Sequence, residues 1–250
     1  MKDKQSRRWV YGVNPVLEAL KAGRRVSLLY VSAGRKRRVE EVLAEARARD
    51  VPVKVVHDPA FFDTRFPKGH QGVAARVQEP TGRPALEDLL AVPSRRGEPP
   101  LFVVLDLIED PRNLGSILRT AEAAGVHGVV TQKRRAASLG PEALKASAGA
   151  AEHIALAVVP NIKHALREMK EAGILAVGAE AEGEVTLWEA DLAGPLALVV
   201  GSEGRGLRKT VREMCDLRVG IPLRGRVGSL NAGVAAGVLL YEVLRQRART

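Results

Sequence analysis

Residues 101–120 read LFVVLDLIEDPRNLGSILRT: an unbroken apolar run, a polar turn holding one proline, then apolar residues at helical spacing. The run Leu101–Leu105 suits a strand covered on both faces, where no polar alternation is needed. Leu114–Ala124 continues it as a helix. The same kind of unit recurs downstream. Gly128–Val130, Ile174–Gly178 and Leu196–Val200 are further short apolar runs, Ile162–Ala172 is a second helical stretch, and the chain closes in a helix from about Leu230 to Arg247. This alternation predicts an α/β fold with a mainly parallel sheet and helices on both faces.

Upstream the rhythm is shorter. Asn14-Pro15 reads as a helix start, because asparagine caps free N–H groups and proline suits the first turn. Leu28–Val31, Val53–Val56 and Val73–Val77 read as strands, with Val39, Val42, Leu43 and Ala46 at helical spacing between the first two. Between Glu79 and Pro100 lie five prolines and two glycines, although Leu86–Leu90 has the makings of a helical turn or two. The division that follows is a small α/β domain over 1–78, a linker over 79–99 and a larger domain over 100–250.

Composition narrows the class. The apolar fraction of 46% against 27% charged is that of a globular chain rather than a disordered one. The longest uncharged run, Val227–Tyr241, is too short to span a bilayer, and the charged start MKDKQSRRWV does not read as a secretion signal. A lone cysteine, Cys215, fits a reducing compartment, so the cytoplasm is expected. The net charge is +10 and unevenly spread: residues 1–50 carry 13 basic against 6 acidic groups, and 151–200 carry 3 against 8. Gathered cations suit a polyphosphate partner such as RNA, and a merely solvated basic surface is the alternative. Arg24, Arg25, Arg35, Lys36, Arg37 and Arg38 are the candidate phosphate contacts.

Three loops, each following a predicted strand, are where an open parallel sheet places ligands. In the first, Asn113 reads as a helix cap, Gly115 as a close-approach point, and Arg119 as either a functional cation or half of a surface pair with Glu122 or Glu109. The second, Val199–Leu207, has the spacing G-x-x-G-x-G, and Glu203 stands where a dinucleotide loop would hold pyrophosphate, so an oxidoreductase reading fits poorly. In the third, Ser229 and Asn231 precede the last helix, where capping alone would explain either. Gly233 and Gly237 read as a close-packing face.

Taken together, DPRNLGSILRTAEAAG, LVVGSEGRGL and IPLRGRVGSLNAGVAAGVLLYE resemble, in order and spacing, the three motifs of the SpoU/TrmH RNA methyltransferases of the SPOUT class; SAGAAEH (147–153) is also similar. The leading segment from YGVNPVLEAL resembles the ribosomal-protein-like substrate-binding domain found before many of these catalytic domains. The resemblance implies a C-terminal trefoil knot, a homodimer with sites near the subunit boundary, and methyl transfer from S-adenosylmethionine, without metal, to a ribose 2'-hydroxyl. A guanosine of 23S rRNA is the implied target; a tRNA ribose is an alternative, as is a non-catalytic RNA-binding protein. By the same resemblance Gly201, Ile221 and Leu230 hold the cofactor. Arg119, Asn113, Glu203, Ser229 and Asn231 form the catalytic set, with Glu203 orienting Arg119. One departure is Asn-Ala-Gly-Val at 231–234, where relatives often have Asn-Val-Ser-Val, which removes a hydroxyl at Gly233.

A ribose hydroxyl is a weak nucleophile, so such a site must share its proton and align it with the methyl donor. A guanidinium keeps its proton, which makes alkoxide stabilisation and phosphate binding the easier roles for Arg119. Cys215 reads as a small buried hydrophobe, not as the nucleophile that pyrimidine C5 methylation requires. The five histidines lack metal-ligand spacing, and His153 is expected to bury against the sheet or bond locally.

Overall fold

A computed structural model describes residues 7–33, 37–58, 60–78 and 82–248. Its first sheet is built from β1 (Arg7–Tyr11), β2 (Val26–Ser32), β3 (Val53–Val56) and β4 (Val73–Gln78). They lie in the order β1-β4-β2-β3, with β2 and β3 parallel and the other pairs antiparallel. Helices α1 (Val13–Lys21) and α2 (Arg37–Ala48) bury Val16, Leu20, Val42 and Ala46 against Leu29, Val31 and Ala75. On the other face α3 (Ala60–Arg65) sets Phe62 against Tyr11 and Ala74. Asn14 does not cap α1. The helix begins two residues earlier than that cap would place it, after Gly12 at φ +96°, and the Val13 N–H is satisfied by Gln71 Oε1 at 3.0 Å.

Part of the stretch 79–99 is not free chain. Two short helices, α4 (Leu86–Leu90) and α5 (Val92–Arg96), occupy it, and Leu86 and Leu89 are buried in the second core. A glycine at 128 is what admits Leu89, since a Cβ there would lie 2.5 Å from its side chain.

The second sheet comprises β5 (Leu101–Leu105), β6 (Gly128–Gln132), β7 (Leu156–Val159), β8 (Leu175–Glu180), β9 (Val185–Thr186), β10 (Leu196–Val200) and β11 (Leu217–Gly220). The order is β7-β6-β5-β10-β8-β11-β9, and every pairing is parallel. Alternate residues of β5 serve two cores. Leu101, Val103 and Leu105 pack with α6 (Pro111–Ala123), α7 (Pro141–Ala146) and α10 (Ala232–Arg247). Phe102 and Val104 pack with α4, α8 (Ile162–Glu171) and α9 (Lys209–Arg212). A strand buried on both sides needs no polar residue, which is why 101–105 is apolar throughout; each such side chain contributes about 1.5–3 kcal/mol.

A buried carboxylate joins the two halves. Glu152, in a 3-10 turn at Ala150–Glu152 and only 2% exposed in its side chain, takes ion pairs from Arg8 and from Arg24, whose Nε lies 3.0 Å from Oε2. The Arg24 Nη2 also donates to the Glu152 carbonyl at 3.2 Å. Arg24 is therefore engaged within the chain rather than free for a phosphate. His153 likewise does not bury against the sheet: its Nε2 meets Glu18 Oε2 of α1 at 2.8 Å. Lys145 donates to the Lys68 carbonyl at 2.7 Å beside them. No helix among the described residues is long and apolar enough to cross a membrane.

Candidate active site

The start of α6 is capped by Asp110, not by Asn113. The Asp110 carboxylate accepts from the Arg112 N–H at 2.7 Å, and the Arg112 guanidinium beside it holds that carboxyl below its usual range. Asn113, relieved of capping, is free to reach across the sheet edge. Asn231 does cap α10, accepting from the N–H groups of Gly233 at 3.0 Å and Val234 at 3.4 Å. Its amide nitrogen donates outward, to Asn113 Oδ1 at 2.8 Å and Glu203 Oε2 at 3.0 Å. Asn113 Nδ2 closes the triangle with the same Glu203 oxygen at 3.4 Å. Three loops far apart in sequence are thus tied through three side chains.

Close helix packing permits this. A Cβ on Gly115 would lie 2.4 Å from the Ala143 carbonyl of α7, and one on Gly233 would lie 2.7 Å from Ser116 Oγ of α6. Gly233, the departure noted from the family pattern, is pressed against a serine of the neighbouring helix.

Beside the triangle opens a cavity of about 250 Å³, lined by Gly201, Glu203, Ile221, Ser229 and Leu230 among others. Gly201 is required sterically, because the 202–206 turn folds back until the Gly206 carbonyl carbon stands 2.2 Å from where a Cβ would be. Val219, Ile221, Leu230 and Leu239 form an apolar wall. The polar lining is Glu180, Ser202, Glu203 and Ser229, with no cationic side chain among the described residues that line it. Ser202 Oγ is buried without a hydrogen-bond partner. An apolar wall for a flat ring, the Glu203 carboxylate and an unspent hydroxyl fit S-adenosylmethionine, which joins adenine to a positive sulfonium. A second cavity of about 300 Å³ adjoins it through Ser202 and Glu203 and reaches Leu107, Glu109, Asn113 and Arg205.

Arg119 lies elsewhere. Six residues beyond Asn113 on α6, it is about 9 Å further along the axis and about 120° around it. It lines a groove with Asn14, Glu18, Glu122, Ser147 and His153. Neither surface pair foreseen for it, with Glu122 or with Glu109, is formed. Within one chain Glu203 does not orient Arg119 but receives the two asparagine amides through Oε2.

Of the basic candidates, Arg25 lines a groove with Arg24 and Arg49. Arg35 and Lys36 fall outside the described residues, as do the side chains of Arg37 and Arg38 at the start of α2. Cys215 is half-buried, and burial pushes its thiol up to about 12, the opposite of an activated nucleophile.

Two features were not foreseen. Asp106, wholly buried at the end of β5, accepts from Arg208 Nε at 2.7 Å and from the Arg208 N–H at 2.8 Å. Arg208 also donates to Gln132 at 2.7 Å, so one guanidinium pins the ends of β5 and β6 to the loop after β10. Glu180 ends β8 inside the cavity. The available signal was a carboxylate directly after an apolar strand, at the sheet edge where ligands bind.

Comparison with known proteins accounts for this arrangement. Residues 100–241 match the model of the SpoU rRNA methylase family, and residues 9–82 match that of the RNA 2'-O ribose methyltransferase substrate-binding domain. The chain belongs to the SpoU rRNA methylase family. As a member it is an RNA 2'-O-ribose methyltransferase dependent on S-adenosylmethionine. It is 40% identical over 241 residues to the 23S rRNA (guanosine-2'-O-)-methyltransferase RlmB of Yersinia pestis, covering 95% of this chain and 97% of that one. It is 42% identical over 244 residues to YacO of Bacillus subtilis, assigned to the TrmH family of tRNA/rRNA methyltransferases, with 97% of each covered. Among solved structures it is similar to the SpoU methyltransferase AviRb of Streptomyces viridochromogenes in complex with its cofactor, at a TM-score of 0.79 and 30% identity, covering 98% of this chain and 92% of that one.

Proposed function

We propose that this enzyme methylates the 2'-hydroxyl of a guanosine in 23S rRNA, in the cytoplasm and as a homodimer. The observation that carries the reading is the meeting of Asn113, Glu203 and Asn231 on the rim of the cavity. Identity near 40% over almost the whole length to a protein named for that guanosine reaction supports the target. A tRNA ribose is the second reading, favoured by the description of YacO.

Gly201, Ile221 and Leu230 would hold the cofactor, which when bound supplies an electrophilic methyl on sulfur. The remaining work falls to the chain's own groups. Both amides bond to Glu203 Oε2, which leaves Oε1 available as a further acceptor. Ser229, at the cavity mouth, positions the ribose. Besides Arg205 beside the adjoining cavity, Arg119 is the cation that we assign to the site of a second copy, where Glu203 Oε1 would receive it and the developing alkoxide would be stabilised. Val234, Val238 and Tyr241 support that assembly: they share one face of α10, and Val234 and Tyr241 are more than half exposed. The trefoil knot belongs to the same reading. Strand β11 lies beyond β8 from β10, yet the following helix returns to pack on α6, as a threaded chain would.

The domain division is proposed as 1–78 for RNA binding, 79–99 as the connection and 100–250 for catalysis, with Arg25 and the 35–38 cluster as phosphate contacts. Mapping 2'-O-methyl marks across rRNA and tRNA after deleting the gene tests the target. Loss of one guanosine mark in 23S rRNA is expected; loss of a tRNA mark alone would transfer the assignment to the second reading.

A further inference from the structure

We infer that Glu180 is the acceptor for the ribose diol of the cofactor, an inference that rests on the cavity described above being the cofactor site. Glu180 ends β8, which lies between β10 and β11 in the sheet. The β10 side of the cavity carries Glu203 and the asparagine triangle, where the methyl must be delivered. The β11 side carries Val219 and Ile221, the apolar wall suited to adenine, and Gly220 of that strand is in register with Glu180. In the cofactor the ribose stands between adenine and sulfonium. The carboxylate between the two walls is therefore the group placed to meet it.

The chemistry of the carboxylate agrees. Arg212 grips it side-on, Nε to Oε1 at 3.1 Å and Nη2 to Oε2 at 3.1 Å, from a position more exposed than Glu180 itself, 39% against 12%. That pair uses one lone pair on each oxygen and offsets the charge, leaving a rigid, nearly neutral acceptor with one free lone pair per oxygen. Two parallel acceptors suit two neighbouring hydroxyls better than a single cation. Gly206 keeps the approach open: even a Cβ there would stand 3.8 Å from both carboxylate oxygens.

The test is calorimetry of the full chain with S-adenosylmethionine, S-adenosylhomocysteine, 5'-methylthioadenosine and the 2'-deoxy form of the last. All four share adenine, but only the first three carry the diol, and methylthioadenosine lacks both the sulfonium and the amino-acid tail. Glu180→Ala is expected to weaken the three diol ligands by a common factor of about ten or more, while the deoxy ligand, already weaker on the wild type, loses much less. Loss confined to S-adenosylmethionine would place the carboxylate at the sulfonium and overturn the inference. Loss sparing methylthioadenosine would place it at the amino-acid tail, with the same consequence. Equal loss for the deoxy ligand would reduce Glu180 to a structural role, as would a Glu180→Gln variant that restores full affinity while unable to accept on both sides. Should the wild type bind none of the four, the reading of the cavity fails instead.

Discussion

Asn231 carries two duties, of which Asn113 shares only one. Its Oδ1 caps α10 while its Nδ2 holds Glu203 and Asn113. Asn231→Ala is therefore expected to lose about 1 kcal/mol of stability along with activity, whereas Asn113→Ala loses activity with the stability nearly unchanged. Thermal denaturation beside turnover separates them; equal stability losses would remove the capping argument. Arg119→Ala is expected to lower kcat by a factor of about a hundred or more while cofactor affinity stays within a few-fold. Near-normal turnover would take Arg119 out of the chemistry. These residues were legible as a set because three motifs occur in order. Their individual duties were not, since Asp110 and Asn113 are both good caps and only the helix start decides between them. Glu180 was passed over because its one signal, a carboxylate after an apolar strand, comes with no partner at a fixed spacing to strengthen it.

At the level of elements, Leu101–Leu105, Leu196–Val200 and Val53–Val56 have the bounds read for them, the first two because burial on both faces leaves no polar residue to blur the run. Strands β1 and β11 escaped because arginines interrupt them, and β9 because two residues carry no period. The proline-rich stretch read as a linker with a helical turn or two at Leu86–Leu90; that turn is α4, and its Leu89 packs on Gly128. The start of β5 also holds a titrating group. His127 Nδ1 accepts from the Leu101 N–H at 3.1 Å while Nε2 faces Glu98 at 3.0 Å, and burial holds its pKa below the ordinary 6.5 despite that carboxylate. Below pH about 6.5 the unfolded chain takes up a proton that the folded imidazole resists, so stability falls as pH drops through that value toward the folded pKa. The Tm at pH 5.5 is expected below that at pH 7.5, with a smaller gap in His127→Gln. An unchanged gap would assign the pH dependence to other groups.

Over the whole molecule, charge pointed to RNA but not to which arginines meet it. Arg24, a natural candidate in a basic cluster, is spent on Glu152, and no local pattern reveals a partner 128 residues away. Glu152→Ala strands Arg8 and Arg24 and is expected to cost about 2 kcal/mol, less than a fully buried pair because both arginines are partly exposed. The KM for RNA should rise with kcat nearly kept; a change in kcat alone would mean that the junction does not orient the substrate-binding half. Assembly is the larger question, because one chain brings together Asn113, Glu203 and Asn231 and leaves Arg119 in another groove. The most direct measurement mixes two inactive variants, Arg119→Ala and Glu203→Ala, after unfolding and refolding them together. If a second copy supplies the arginine, mixed dimers hold one intact site each, and about a quarter of wild-type turnover should return. No return of turnover, with mixed dimers verified by mass, would contradict a site shared between two copies.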